Sequence, residues 1–452
     1  MENFNIVPTE KNAFDLLLKD PIRRNESVFR FIQLIDAIDG NCSIALNGEW
    51  GSGKTIFIKQ IKLLMDYNNP QSNLSEELRN EIGKLSGTQC YDSYSTVYYD
   101  AWENDKYEDP LLSLIYATTC SKQSEFSTDK RRNLPQLLGS LADAVTGRNI
   151  TELFTQAQGN DPLEAFKKSN DISSLIHEFI DSLIAEKGNR LIIFIDELDR
   201  CRPTYAVQLL ERIKHYFNDN RITFVFSINL LQLQHTIKSY YGPSFDAIRY
   251  LDKFFDLRVA MPAVNLDYFF NYKFPSIKSG YIYDKMCIRV VEYFSFSLRE
   301  IERYMQLVKI AAYKPTHSRE QASWPEGKAL LFAMLFFTPI MIGLNMADLN
   351  TYKDFIVGKK SHILEEIFVD MDNMMRYDWL NVSPKSINDK SNIHEEAKSK
   401  IAEIYTALFS PGQFKVEREK RIGDMIFSES THDEIMGIAS LLSQHANYDI
   451  KI

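Results

Sequence analysis

Apolar segments without polar alternation recur along the chain and predict strands that are buried on both faces. Five short segments have this pattern: Ser43–Leu46, Thr96–Asp100, Arg190–Asp196, Ile222–Asn229 and Phe254–Ala260. Helical patterns separate the last three, around Tyr205–Phe217 and Leu231–Tyr240. Because parallel strands need a crossover connection, usually a helix, this alternation indicates a parallel sheet flanked by helices. The predicted fold class is therefore α/β.

Beyond Pro262 the pattern changes, and apolar positions recur at helical spacing with no strand of comparable strength. The predicted helices are Tyr281–Phe294, Leu298–Ala312, Lys328–Leu344, Tyr352–Met374 and Glu396–Leu408. A polar stretch at 383–394 has the composition of a linker or long loop. The region after Pro262 is thus expected to be entirely helical.

These changes of pattern divide the chain into five parts. Residues 1–110 and 187–262 would carry the strands of the sheet, and residues 111–186, largely helical in pattern, would be inserted between them. Residues 263–382 would form a helical domain, and residues 383–452 a linker with a helical extension. The insertion is the natural place for a surface that binds a partner.

An uncharged apolar run, Ala329–Ala347, meets the length criterion for a membrane span. Pro339 is expected to break a helix there after about ten residues, because proline lacks the N–H group and clashes with the preceding turn. Gly343 weakens the helix further. Since a span in lipid needs every backbone group bonded within the protein, we expect a buried helix of the helical domain and no membrane span.

Net charge and cysteine usage limit the class of partner and the cellular compartment that we expect for the protein. The chain of 452 residues has 52 basic and 61 acidic residues, which gives a formal net charge of −9. This balance argues against a surface devoted to nucleic acid, which needs clustered Lys and Arg, although it leaves room for a local basic patch. The five cysteines form no CxxC pair, and the N-terminus has no signal-peptide pattern, so a reduced, cytoplasmic protein is expected.

The strongest chemical signal is the segment Gly48–Thr55, which matches GxxxxGK[ST] between a predicted strand and a predicted helix. Its glycines let backbone N–H groups close around a phosphate, and the helix N-terminus adds positive potential. Lys54 would neutralise the β- and γ-phosphate oxygens, and the Thr55 hydroxyl would bind Mg²⁺. The predicted nucleotide contacts are Gly48, Glu49, Trp50, Gly51, Ser52, Gly53, Lys54, Thr55 and Ile56.

An acidic pair closes the apolar segment Leu191–Asp196 and supplies the second element of such a site. Asp196, on a strand next to that of the phosphate loop, would hold the water shell of the metal ion. Glu197 is placed to orient or deprotonate the water that attacks the γ-phosphate, which favours hydrolysis over transfer to a small acceptor. The competing interpretations are a structural role for Asp196 and a helix cap for Glu197.

Four motifs resemble those of the KAP family of P-loop NTPases, in the family's order and over about residues 12–312. They are Gly48–Thr55, Asp100–Asn104 followed by Asp109-Pro-Leu-Leu, Ile195–Cys201 and Tyr250–Asp256. The tryptophan of the phosphate loop and the Leu-Asp-Arg-Cys tail of the acidic motif are the discriminating features. The resemblance implies an ASCE-type ATPase core, related to AAA+ and STAND proteins, with a helical lid after the sheet.

The same resemblance bears on the nucleotide and on the membrane. It implies ATP as the nucleotide, and the chain has no Asn-Lys-x-Asp element of the GTPase type. Many members of the family carry transmembrane helices between their two phosphate-site motifs. In this chain, nothing between Lys54 and Asp196 is long and apolar enough to span.

Three residues outside the phosphate loop acquire roles by resemblance. Asn229, at the end of the strand after the acidic one, would sense the γ-phosphate, and a helix N-cap is the competing interpretation. Arg249 would be an arginine finger acting in trans, with Lys253 as the alternative cation and a solvated surface arginine as the simpler interpretation. Arg299 would couple the lid to ATP, whereas an ion pair within its helix is the alternative.

Two further groups have less defined roles. The acids of Asp100–Glu103 follow a strand and would point toward the end of the sheet where the nucleotide lies. Trp102 is expected to pack in the core and not to stack on a base. Asp199 and Arg200 are expected to order the turn after the acidic strand through a local ion pair, with Cys201 buried.

Together these features favour an ATP-binding and hydrolysing switch with ATP and Mg²⁺ held between the phosphate loop and the lid. Its output would pass to a protein effector encoded nearby, in antiviral defence, since the resemblance includes bacterial relatives that act in phage exclusion. Two alternatives stay open: a nucleic-acid-stimulated translocase or remodeller, and a nucleotide-bound scaffold with little turnover. A homo-oligomer is expected, nucleic acid is not favoured as a partner, and a membrane is not expected.

Overall fold

The computed structural model divides the chain into two compact units, Val7–Phe269 and a second unit that begins at Phe270 and contains the rest of the chain. The residues that the structure describes are 7–70, 72–85, 94–122, 137–141, 144–145, 172, 174–181, 190–275, 281–317, 324–368, 379–380, 390–410, 414 and 418–442. Each unit has its own buried residues and is described by itself.

Five parallel strands form the centre of the first unit, in the order β2–β3–β4–β1–β5. Their bounds are β1 (Cys42–Asn47), β2 (Tyr94–Asp100), β3 (Arg190–Asp196), β4 (Ile222–Ile228) and β5 (Leu257–Ala260). The predicted α/β fold with a parallel sheet is confirmed. One detail is wrong: β4 lies between β1 and β3, so the strand of the phosphate loop and the acidic strand are not neighbours.

The register of this sheet brings the motif-bearing strand ends to one edge. Asn47, the last residue of β1, is the partner of Ile228, the last residue of β4. On the other side of β4, Asp196 is the partner of Ser227. Because the strands are parallel, the loops that follow β1, β3 and β4 leave the sheet at the same carboxyl edge, where ligands of open α/β sheets bind.

Alternate residues of the central strands enter two hydrophobic cores, one on each face of the sheet. In β3, Ile193 and Ile195 belong to the first core, and Ile192 and Phe194 to the second. This double burial explains why the strand has no polar positions, since successive side chains point to opposite faces. Both faces must therefore be covered by helices.

Helices from before and after the strands cover these two faces. The helices of this unit are α1 (Glu10–Lys19), α2 (Asn25–Asp36), α3 (Lys54–Asn68), α4 (Glu76–Ile82), α5 (Ala101–Asn104), α6 (Pro110–Lys122), α7 (Pro203–Tyr216), α8 (Leu230–Tyr241) and α9 (Ala247–Leu251), and α10 (Leu266–Lys273) spans its end. Residues of α1 to α4 pack in the second core, and residues of α6 to α9 in the first.

The predicted insertion at 111–186 lies mostly outside the described residues. Its described part consists of α6 and the helical residues 137–141, 144–145, 172 and 174–181. Leu141, Ile176 and Ile180 of these segments are fully buried in the first core. The insertion therefore contributes apolar residues to the core that covers the sheet.

The second unit is built around one long apolar helix. Its elements are α11 (Ile282–Phe294), α12 (Leu298–His317), α13 (Pro325–Ala347), α14 (Leu349–Phe355), α15 (His362–Phe368), α16 (Lys390–Phe409), β6 (Glu419–Ile422), β7 (Met425–Ser428) and α17 (Glu429–Ala439). Helix α13 packs against α11, α12, β7 and α17. This central position accounts for its apolar composition on all sides.

The predicted break at Pro339 is wrong, because α13 continues through it without interruption. Tyr304 donates its hydroxyl to the Pro339 carbonyl at 3.1 Å, and a Cβ atom on Gly343 would lie 2.5 Å from Val290 Cγ1. Close packing thus offsets the cost of the proline. Among the described residues, α13 is the one helix long and apolar enough to cross a membrane, and 78% of its most apolar window is buried inside the protein.

Two other expectations for this region are also wrong. The predicted helix Tyr352–Met374 is divided in the structure, where α14 and α15 are separated by a turn in which Gly358 has φ +82°. Residues 369–374 lie outside the described residues. The all-helical prediction missed the antiparallel hairpin β6–β7. Its strands are only four residues long, too short for a periodic signal, and Met425 and Phe427 of β7 are buried.

Candidate active site

The segment Gly48–Thr55 links the end of β1 to the start of α3, as the motif requires. The Gly48 N–H donates to the Ile228 carbonyl at 3.1 Å, which places the loop against the end of β4. A Cβ atom on Gly48 would lie 2.8 Å from Met261 Cβ, so only glycine fits there. Gly51 and Gly53 have φ of +80° and +90°, a backbone conformation open to glycine. The loop can therefore present its N–H groups toward a phosphate.

Lys54 is the first residue of α3 and is buried. Its ammonium group donates to the carbonyls of Gly48 at 2.6 Å and Glu49 at 3.0 Å, so it lies over the loop. Burial lowers the pKa of Lys54, and attraction from Asp199 and other nearby carboxylates opposes this shift. The cation therefore stands beside the acidic residues that follow β3.

Asp196 ends β3 and is only 1% exposed. Burial raises the pKa of its carboxyl, and the neighbouring hydroxyls of Ser227, Thr55 and Tyr98 oppose this rise. The Tyr98 hydroxyl donates to Asp196 Oδ2 at 3.1 Å. Thr55 and Asp196, the two predicted metal ligands, are thus brought together, and Tyr98 is a partner that the sequence analysis did not identify.

This donor set fits Mg²⁺. A hydroxyl and a buried carboxylate are oxygen ligands of the kind that hard cations prefer, and Mg²⁺ at nucleotide sites is bound through one or two protein groups together with phosphates and water. Among the described residues, no group of three or more His, Cys, Asp or Glu side chains could hold a metal ion alone. Ser52 Oγ and Asp199 Oδ1 are buried without a partner, which leaves polar atoms for a ligand to satisfy.

Glu197 adopts a left-handed backbone conformation, with φ +59° and ψ +24°. A residue with a side chain is uncommon in this region, and such strain is concentrated at functional sites. Its carboxylate forms an ion pair with Arg200, with Oε2 2.6 Å from Nε. Burial raises the pKa of Glu197 to about 7, repulsion from Asp196 adds to this rise, and Arg200 opposes it. A carboxyl with such a pKa can exchange a proton near neutral pH.

Two tryptophans flank Arg200 in the turn after β3. The guanidinium carbon lies 5.6 Å from the ring centre of Trp50 and 5.5 Å from that of Trp102. Trp50 donates its indole N–H to Asp199 Oδ2 at 2.6 Å. The expected ion pair between Asp199 and Arg200 is therefore wrong, because Arg200 pairs with Glu197 and Asp199 accepts a hydrogen bond from Trp50 of the phosphate loop. Cys201 is buried, as predicted.

The predicted burial of Trp102 is wrong, since this side chain is 55% exposed. It follows Ala101, which is the buried residue of the short helix α5. Asp100 caps this helix and accepts the backbone N–H of Glu103 at 2.9 Å. The carboxylate of Asp100 thus has a local structural role at the edge of the sheet.

Asn229 lies directly after β4 and caps α8. Its Oδ1 accepts the backbone N–H groups of Leu231 at 3.1 Å and Gln232 at 3.2 Å. The capping interpretation therefore holds, and the side-chain NH₂ group is the part left to donate to a ligand. Asn47 accepts the N–H of Leu230 at 2.9 Å, which ties the end of β1 to the same helix.

The two arginines predicted to act at the site, Arg249 and Arg299, are both exposed to solvent. The Arg249 side chain is 87% exposed and forms an ion pair at 3.4 Å with Asp246, the N-cap residue of α9. Lys253 is exposed as well. Arg299 is an exposed residue of α12 in the second unit. Burial raises the pKa of the nearby Glu302, and the charge of Lys273, then that of Arg299, opposes this rise. Their roles stay predictions.

A buried arginine that the sequence analysis missed, Arg24, donates a hydrogen bond to the backbone of the phosphate loop. Arg24 is 5% exposed and donates to the carbonyls of Ser52 at 2.7 Å and Pro262 at 2.6 Å. Burial lowers its pKa to about 10. No local signal marks this residue, because arginine at a helix start is ordinarily exposed. It joins the phosphate loop to the segment after β5.

Comparison with protein families agrees with this geometry. The family model described as the KAP family P-loop domain matches residues 25–314. The matched region contains the whole sheet, the phosphate loop and the acidic pair. A search of curated proteins found no match.

Proposed function

We propose, on the premise that this chain belongs to the KAP family of P-loop NTPases, that it binds ATP and hydrolyses it at the carboxyl edge of its sheet. Family membership establishes a nucleotide-binding NTPase domain. The choice of ATP, the turnover and the use made of it are proposed here. The observation that supports the proposal is the placement of Glu197 directly after Asp196. Glu197 has a left-handed backbone conformation, and burial raises the pKa of its carboxyl to about 7.

Each residue of the site has a proposed step. The N–H groups of the phosphate loop and the ammonium of Lys54 would bind the β- and γ-phosphates, in place of the loop carbonyls that Lys54 contacts. Thr55 and Asp196 would hold Mg²⁺, which supplies charge neutralisation at the phosphate oxygens. Glu197 would accept the proton of the attacking water, and the side-chain amide of Asn229 would orient that water or the γ-phosphate.

Replacing Glu197 with Gln tests this assignment directly. The Glu197→Gln protein should bind ATP with Mg²⁺ as tightly as the wild type, while its turnover falls ~10²-fold or more, because the amide cannot accept the proton. Glu26→Gln, at a 76% exposed carboxylate paired with Arg30, is the matched control and should leave turnover unchanged. Undiminished turnover in the Glu197→Gln protein would remove Glu197 from the mechanism.

We further propose that the output is conformational and is passed to a protein partner encoded nearby in a defence setting. The support is the formal net charge of −9, which suits a protein partner better than nucleic acid, together with the family. ATP turnover per protein molecule should therefore rise with protein concentration, as expected of an assembling switch, and should not change when DNA or RNA is added. Strong stimulation by nucleic acid would replace this proposal with a translocase or remodeller.

Arg249 is the proposed arginine finger of a homo-oligomer. Among the described residues, its 87% exposed side chain is paired with Asp246, the N-cap of the same short helix, which leaves the guanidinium accessible to a second copy. The test is to mix inactive Arg249→Ala protein with inactive Lys54→Ala protein. Mixed assemblies should regain activity, because one copy supplies the finger and the other the phosphate loop. A mixture without activity would exclude action in trans, and Lys253→Ala tests the alternative cation in the same way.

A further inference from the structure

The turn after β3 contains a contact that the proposed mechanism does not use. Arg200 forms an ion pair with Glu197 at 2.6 Å, and its guanidinium carbon lies within cation–π distance of two indole rings, 5.6 Å from the ring centre of Trp50 and 5.5 Å from that of Trp102. A planar guanidinium stacks on aromatic faces while its N–H groups stay free to bond a carboxylate in its plane. The two aromatic contacts therefore restrict the position of the Arg200 guanidinium, and the ion pair restricts Glu197 in turn.

The phosphate loop takes part in this arrangement through Trp50. Its indole N–H donates to Asp199 at 2.6 Å, and Asp199 is 5% exposed. Trp50 itself is 44% exposed, so its position depends on the contacts with Asp199 and Arg200 more than on burial in the core. Trp50 lies within the segment that would surround a phosphate, so its contacts join that loop directly to the turn that carries Glu197.

We infer that Arg200 is a positioning residue for Glu197, held by cation–π contacts with Trp50 and Trp102, and that Trp50 links the state of the phosphate loop to the catalytic carboxylate. The inference deepens the proposed function and rests on it for the role of Glu197. The nearby Arg202 provides a contrast, since it pairs with Asp105 at 2.7 Å and not with a carboxylate of the site. Two arginines of one turn thus have separable roles.

The first experiment separates positioning from binding. Arg200→Ala should lower kcat ~10-fold or more and change the dissociation constant for ATP less than ~3-fold, because the carboxylate is misplaced while the phosphate loop is intact. Added guanidinium at millimolar concentration should restore part of kcat, and the same concentration of sodium should not. Arg200→Lys should stay impaired, since lysine lacks the planar guanidinium and the Nε–H group that contacts Glu197. Arg202→Ala is the control and should keep wild-type kcat.

A second measurement tests the tryptophan stack. In a double-mutant cycle, Trp102→Ala should reduce kcat in the wild-type background and have little further effect in the Arg200→Ala background, because the ring acts through Arg200. Trp324→Ala, at a 60% exposed tryptophan of the second unit, is the control. Additive losses from Trp102 and Arg200, or an unchanged kcat in Arg200→Ala, would overturn the inference.

A readout without turnover distinguishes this inference from the proposed function. Intrinsic tryptophan emission of the full chain without nucleotide should change in Arg200→Ala, since the cation leaves the faces of two indoles, and should stay unchanged in Arg202→Ala. Binding of ADP with Mg²⁺ should alter emission in the wild type and much less in Trp50→Phe. Absence of ATPase activity in the wild type would refute the proposed function alone, whereas identical spectra for Arg200→Ala and the wild type would refute the stack.

Discussion

At the residue scale, the phosphate loop depends on one buried cation. Arg24 satisfies the carbonyls of Ser52 and Pro262, so its removal would leave two partly buried acceptors without this donor. Arg24→Met should therefore lower the free energy of unfolding by ~2–4 kcal/mol and weaken ATP binding. Chemical denaturation and an ATP titration measure the two effects. Arg30→Met, at a 74% exposed side chain, is the control, and equal behaviour of the two variants would contradict the bridging role.

A second residue-scale prediction concerns the packing of the loop against the strand ends. Gly48→Ala would place Cβ 2.8 Å from Met261 Cβ and 2.9 Å from Ser52 Oγ. The loop must then shift, and affinity for ATP should fall ~10-fold or more because the N–H groups no longer converge. Gly139→Ala is the matched control, since a Cβ there meets nothing within 4 Å. Unchanged affinity in Gly48→Ala would show that the loop has room to adjust.

At the element scale, the amino end of β4 is anchored by Asp219. This carboxylate accepts two hydrogen bonds from the Arg221 guanidinium, at 2.9 and 2.6 Å, and lies 3.3 Å from His177 of the insertion. The bonds with Arg221 lower the pKa of Asp219 to about 2, against the opposing effect of burial. The Asp219 carboxylate thus links the start of β4 to His177 of the insertion.

The pH dependence follows from the sign of that shift. Because the folded pKa of Asp219 is below that of the unfolded chain, its contribution is present above about pH 4 and is lost as the pH falls toward 2. Asp219→Asn should remove ~1–2 kcal/mol of stability at pH 7 and flatten the loss between pH 4 and 2. Denaturant unfolding at several pH values measures this. Asp252→Asn, at a 53% exposed carboxylate, should leave the wild-type profile in place.

At the scale of the whole molecule, the chain forms two compact units, and we expect a packing defect in one to leave the other folded. Gly343→Ala would force a Cβ to 2.5 Å from Val290 Cγ1 within the second unit. Overpacking should cost that unit ~1–3 kcal/mol, while ATP affinity of the first unit stays at the wild-type value. Calorimetry and an ATP titration on the full chain test both parts. Loss of ATP binding together with stability would indicate one cooperative unit.

The sequence by itself was sufficient for features that depend on neighbouring residues. The apolar segments predicted the parallel sheet, because burial on both faces removes polar positions from a strand. The phosphate loop and the acidic pair could also be recognised in the sequence, because each consists of consecutive residues at the end of a strand. Their shared edge follows from the parallel direction of β1 and β3.

Only the tertiary structure decided which distant residues meet. The contacts of Trp50 with Asp199, Arg200 with two tryptophans and Arg24 with Pro262 join segments whose local patterns contain no mark of each other. Likewise, α13 passes through Pro339 because its neighbours pack around it, which outweighs the local preference of proline to end a helix. Local preferences amount to a few kcal/mol at most, so burial and long-range contacts prevail wherever the two disagree.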